Sequence, residues 1–234
     1  MWSGPRNIST AMMYAFAARN DCAVVDEPFY AAYLNATGID HPMRREILAA
    51  GEIDPGIVIQ NCLGPISENK AVSYQKHMTQ HMVHGFDRTW IKNCTNVFLI
   101  RDPDRVIASY AAKRENPTLD DIGFRQQAEL FDDVCQAMGK APPVLDSTKI
   151  REGPKAALEN LCNAIGLNFQ SSMLCWPTGG HKNDGIWAKH WYGAVWASNG
   201  FAGPESDLPI VPYEQRKVAE QARTFYEKIA EHAL

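Results

Sequence analysis

Three stretches of this 234-residue chain carry residue types that hold anions or move protons. The first is Ser3-Gly4-Pro5-Arg6-Asn7-Ile8-Ser9-Thr10, a Gly-Pro turn with a basic side chain and two hydroxyls that runs into a helical pattern. The first N–H groups of a helix lack internal partners and sit at the positive end of the aligned peptide dipoles, so this junction suits an anion. Arg6 adds a planar donor fork matched to phosphate-like oxygens, and Ser9 and Thr10 add hydroxyl donors. The second stretch is Asn96-Val-Phe-Leu-Ile-Arg101-Asp-Pro, followed by Ser109. There an apolar run delivers an arginine to the mouth of a sheet, where it can grip an anion. The third is Lys76-His77, with His81 four residues on. Histidine titrates near neutrality and is the natural base. Neighbours on a strand point to opposite faces, so a turn or helix start at this point is needed to bring both side chains to one edge. Asp26-Glu27-Pro28 closes another apolar run: Glu27 is a second base candidate or a binding group for a cationic acceptor, while Asp26 can simply cap a helix with Pro28 in its first turn. His84 has no neighbour that gives it a task.

Positioning these groups takes an alternation of strands and helices. The runs 22–26, 57–60, 71–75 and 96–100 predict short buried strands, with 143–146 as a fifth. Asp102-Pro103 predicts a helix start ahead of Val106, Ile107 and Tyr110. Helical spacing recurs at Leu130–Met138, ended by Gly139, at Ala157–Ile165, closed by Gly166, and at Val218–Ala233. Such alternation implies a parallel sheet covered on both faces, with ligands beyond the carboxyl ends of the strands. The segment 175–212 differs: it holds four of the six Trp and lacks periodicity, so it predicts an aromatic lid or binding loop rather than a linker. Only Met1 and Trp2 precede Ser3-Gly4. The expectation is that upstream residues completing the first strand are missing from this numbering, the alternative being a very short strand.

The bulk composition excludes several classes. A length of 234 residues with 45% hydrophobic content supports one full core across residues 1–234. A net charge of −4 leaves no broad basic surface for nucleic acid. No apolar run reaches the length of a membrane span and no signal peptide is visible. The six cysteines are scattered without a CxxC pair, which argues against a metal site and for reduced thiols in a cytoplasmic protein. Nothing fixes the oligomeric state, and a homo-oligomer stays open.

The first stretch departs from the GxxxxGK[ST] phosphate loop, because Ser9 and Thr10 stand where Gly and Lys are needed. That argues against a Mg-nucleoside triphosphate enzyme. Together the Ser3–Thr10 loop and the Arg101…Ser109 pair resemble the sulfotransferases that use 3′-phosphoadenosine 5′-phosphosulfate (PAPS). Asp146–Phe169 looks like that family's helix with its Gly-Leu-x-Phe end, and Gly180–Trp187 is similar to its nucleotide lid. Closest in feel are bacterial sulfotransferase-like proteins.

The resemblance implies a three-layer α/β fold, a parallel sheet flanked by helices of the P-loop nucleotide-binding, sulfotransferase-like kind. It further implies that Ser3, Gly4, Pro5, Arg6, Asn7, Ile8, Ser9 and Thr10 hold the 5′-phosphosulfate, with Arg6 where many members carry Lys. Arg101 and Ser109 hold the 3′-phosphate, and Lys182, Gly185 and Trp187 close over the nucleotide. Family members place a Lys and a His near residues 76–77, typically with one residue between. Lys76 would then stabilise the leaving group and His77 act as base, with His81 as its substitute or orienting partner. Glu27, Phe29, Tyr30 and His81 are acceptor-side candidates. The implied reaction moves a sulfuryl group from PAPS to a small-molecule hydroxyl, releases adenosine 3′,5′-bisphosphate and needs no metal. A small-metabolite or nucleotide kinase, and a nucleotide-binding module without catalysis, are the competing readings.

Overall fold

The computed structural model describes residues 1–111 and 117–234. Among them, five strands form one sheet: β1 (Trp2–Ser3), β2 (Cys22–Asp26), β3 (Val72–Met78), β4 (Phe98–Ile100) and β5 (Val144–Asp146). Their order is β2-β3-β1-β4-β5, and every neighbouring pair is parallel. All five carboxyl ends therefore open on one edge, as the alternation predicts. β1 has two residues, held by β3 and β4 on either side in the registers Trp2↔His77 and Trp2↔Phe98.

The helices are α1 (Ser9–Ala17), α2 (Tyr30–Thr37), α3 (Arg44–Ala50), α4 (Pro55–Leu63), α5 (Pro103–Ala111), α6 (Leu119–Ile122), α7 (Phe124–Met138), α8 (Ser147–Glu152), α9 (Pro154–Ala164), α10 (Ala188–Trp191), α11 (Gly193–Trp196) and α12 (Arg216–Ala230). They cover both faces because strand side chains alternate. Leu99 and Leu145 pack with Met13 and Phe16 of α1 and Leu158 and Leu161 of α9. Phe98, Ile100 and Val144 point the other way, onto Leu130, Phe131 and Val134 of α7 and Ile229 of α12. Leu99 is fully buried, and truncating such a leucine to alanine costs about 2–5 kcal/mol. The result is a three-layer α/β domain. No helix among the described residues is long and apolar enough to cross a membrane.

One predicted strand is a helix. The run 57–60 lies inside α4, where Asp54 accepts hydrogen bonds from the N–H groups of Gly56 and Ile57, and Pro55 opens the first turn. The β-branched run Ile57-Val58-Ile59 gives way to the Asp-Pro start signal. Only Val58 of this helix is buried, so no strand was needed there.

Candidate active site

A cavity of about 480 Å³ opens at the carboxyl edge of the sheet. Its floor is the loop between β1 and α1. Arg6 and Ile8 both adopt left-handed backbone (φ 62° and 54°), which costs a non-glycine residue about 1–3 kcal/mol and gathers at binding sites. Ile8 is the N-cap of α1 and provides no side-chain cap, so the first-turn N–H groups keep their capacity for an anion. Pro5, Arg6, Asn7, Ile8, Ser9 and Thr10 all line the cavity. Asn7 is buried, with its amide donating to the Leu99 carbonyl at 3.2 Å. Ser3 and Gly4 do not line it. Ser3 is a fully buried strand residue, and Gly4 passes so close to α6 that a Cβ would meet the Ile122 carbonyl oxygen at 2.8 Å.

Arg101 and Ser109 line the same cavity and are tied directly to the loop. Arg6 Nε donates to Ser109 Oγ at 2.9 Å, and Arg101 Nη1 donates to the Arg6 carbonyl at 2.6 Å. Burial, then repulsion from Arg101, lowers the pKa of Arg6; it stays charged at neutral pH. Behind these groups sits Glu205, a buried carboxylate paired with Arg101, with Arg151 at 2.6 Å and with Arg105 at 3.4 Å.

On the other side of the cavity, Lys76 is 1% exposed, with its ammonium donating to Asp26 at 2.8 Å, to Glu27 at 2.6 Å and to the Tyr192 hydroxyl. That hydroxyl in turn donates to Asp26 and accepts from Trp187 Nε1 at 3.1 Å. Burial pulls the Lys76 ammonium down, but the combined attraction of Asp26 and Glu27 outweighs it and leaves its pKa raised. Glu27 is pushed up by burial, against the pull of Lys76 and with a further push from Asp26. Glu27 also sits in left-handed backbone at φ 41°. Lys76, Glu27, Tyr30 and His81 all reach the cavity. His81 is buried between the rings of Tyr30 and Tyr33, at 4.5 and 4.7 Å. Burial, then repulsion from His41 and Lys76, holds its pKa well below 6.5, so its ring is neutral.

The structure does not bring every expected residue to this cavity. β3 continues without a turn to Met78, so His77 faces the opposite side from Lys76. There it stacks on Trp2 at 4.5 Å and packs against Phe29 and Trp90. It does not line the cavity, and it has no access to an acceptor. Phe29 belongs to the same buried aromatic cluster and is equally remote. Lys182 is an exposed partner of Glu68. Gly185 and Trp187 lie beneath the cavity wall: Gly185 donates its N–H to Asp26 at 3.0 Å, and Trp187 supports the Tyr192 hydroxyl.

The segment 175–212 reaches the cavity through other residues, namely Trp191, Tyr192, Ala194, Val195 and residues 198–202. Arg151, His41 and Glu205 were not singled out by the sequence. The late aromatic cluster gave a signal for Tyr192, whereas nothing local distinguishes Arg151 from any surface arginine.

The start of α1 and the edge arginines thus share one cavity of a parallel α/β domain with a buried Lys–carboxylate cluster. The family comparison sharpens this: residues 1–233 match the model of the sulfotransferase domain, and the chain belongs to that family. Two Arabidopsis thaliana proteins, branched-chain-amino-acid aminotransferase-like proteins 1 and 2, are 34% and 33% identical over 231 and 226 residues. These alignments cover 99% and 96% of this chain but 41% and 40% of the relatives, so the chain spans about two fifths of their length. Among solved structures, the sulfotransferase domain from the curacin biosynthetic pathway is 13% identical with a TM-score of 0.49, covering 95% of both chains. The sulfotransferase domain from the Synechococcus PCC 7002 olefin synthase is 14% identical with a TM-score of 0.48, covering 94% of this chain and 92% of that one.

Proposed function

We propose that this domain moves a sulfuryl group from PAPS to the hydroxyl of a small acceptor. The observation that carries the proposal is the sharing of one cavity by both anion grips, Arg6 with the start of α1 and Arg101 with Ser109. The residues present fit such a donor, because α1 opens without a side-chain cap and Arg101 keeps its Nε–H without a partner. When bound, PAPS supplies the sulfuryl group and a nucleotide leaving group. On the protein side, Arg6, Ser9, Thr10 and the first amides of α1 hold the 5′ end, while Arg101 and Ser109 hold the 3′-phosphate.

Glu27 replaces His77 as the base in this proposal. Its carboxylate lines the cavity, and burial raises its pKa toward the range where a base is most effective. Lys76 stays charged beside it and offsets negative charge that builds during transfer. Tyr30, Tyr33, Trp191, Tyr192 and Phe201 give the remaining wall an aromatic character that favours a flat or apolar acceptor. The six unpaired cysteines suit a reducing compartment such as the cytoplasm.

Titration calorimetry with adenosine 3′,5′-bisphosphate (PAP) tests the donor. Micromolar binding is expected, weakened roughly 10- to 150-fold in Arg101→Ala, the range for a lost hydrogen bond to a charged group. A folded wild type that binds no PAP refutes it.

A further inference from the structure

We infer that Arg151 is a second guanidinium for the donor's 3′-phosphate, held in place by Glu205, and that it sets the preference of the site for a nucleoside bisphosphate over a monophosphate. The inference rests on the PAPS reading above. Arg101 follows β4, and Arg151 lies in α8, which leaves β5. These two strands are parallel neighbours, so both arginines leave the sheet on the same edge, and both line the cavity.

Glu205 Oε1 accepts from Arg101 Nη2 and, at 2.6 Å, from Arg151 Nη1. Two guanidiniums that share one carboxylate oxygen are near enough to share one phosphate group. Arg151 Nε is fixed separately, donating to the Gly203 carbonyl at 2.8 Å. With Nε and Nη1 engaged, Nη2 is left to face a ligand. Arg105 completes the cluster at 3.4 Å from Glu205 Oε2. One carboxylate cannot neutralise three guanidiniums, and the surplus positive charge matches a phosphate dianion.

Calorimetry on the full chain with PAP and with adenosine 5′-monophosphate (AMP) separates the possibilities. Wild type is expected to prefer PAP. Arg151→Ala and Arg151→Gln are expected to lose about tenfold or more in PAP affinity, about 1.4 kcal/mol, with AMP affinity unchanged within twofold. Arg151→Lys recovers only part, because an ammonium lacks the fork. Retained AMP binding shows that the variants are folded. If wild type prefers PAP and both variants keep that preference, or lose PAP and AMP by the same factor, the role of Arg151 is overturned while the donor stands. A wild type without preference for PAP sinks the donor and this inference with it. Glu205→Gln reports on the tie: looser PAP binding is expected, and tighter binding would show that the carboxylate competes with the phosphate instead of positioning Arg151.

Discussion

Replacing Lys76 by methionine is the sharpest perturbation of the buried centre. The ammonium is the one cation in contact with Asp26 and Glu27 among the described residues, and the side chains of Lys76, Asp26 and Glu27 are 1%, 1% and 9% exposed. Methionine fills the space of the stem but leaves two adjacent carboxylates without compensation. Breaking a buried pair in this way costs about 3–5 kcal/mol. For a chain of this size, each kcal/mol moves Tm by roughly 2–4 °C, so Lys76→Met should melt about 6–20 °C lower at pH 8.

The pH dependence has a definite sign. In the wild type, burial already holds the Glu27 pKa above its ordinary value near 4.5, and Lys76 restrains the rise. Without that restraint the folded-state value climbs further. A carboxyl raised in the folded state contributes stability fully below its unfolded value and loses it as pH rises through the folded one. The deficit of Lys76→Met should therefore be largest at pH 8 and shrink toward pH 5, and adding Asp26→Asn should restore part of the loss at pH 8. Urea unfolding of the three proteins at both pH values measures it. A deficit under about 1 kcal/mol at pH 8, or one unchanged at pH 5, would refute the reasoning.

Three further outcomes are expected. Glu27→Gln should lower kcat by about 10²- to 10⁴-fold with the Kd for PAP within threefold, whereas His81→Phe, which keeps a ring between Tyr30 and Tyr33, should cost far less; the reverse ranking would move the base to His81. His77→Leu should retain transfer activity, since its ring lies off the cavity. Because burial, with repulsion from His81, holds His77 well below 6.5, the wild type loses stability as pH falls below about 6.5. The leucine variant should lose less between pH 7.5 and 5.5 by urea midpoint, and a folded variant without activity would contradict the placement. Gly185→Ala would set a Cβ 2.1 Å from the Trp187 ring, so a loss of about 1–3 kcal/mol is expected, with an unchanged melting curve counting against the packing described.

The parts of the fold that were legible are those where one local signal had no rival. Residues 22–26 read as a strand and form one, and Asp102-Pro103 marked the start of α5. Residues 57–60 failed because β-branched residues and an Asp-Pro start gave opposite instructions. Residues 5–10, 101 and 109 meet in one cavity, as the local spacing of glycine, arginine and hydroxyls anticipated. The base was not legible in this way. Strand alternation already set Lys76 and His77 on opposite faces, and the choice of His77 needed a turn that the strand, running on to Met78, does not make. Arg151 and Glu205, 54 residues apart, meet only through the tertiary fold. Of the late aromatic segment, Trp191 and Tyr192 form the cavity wall, while Lys182 and Trp187, the residues expected to close over a nucleotide, do not reach it.

The hub around the Tyr192 hydroxyl joins residues 26, 27, 76 and 192, the last separated from Lys76 by 116 positions. The cavity thus takes part of its wall from a tyrosine that emerges from the ribosome after all five strands. Asp26 and Lys76 already face each other across paired strands, so the late tyrosine adds a shared hydroxyl to a contact that β2 and β3 make without it. The cavity is therefore completed only when the late aromatic segment closes on residues made far earlier in the chain.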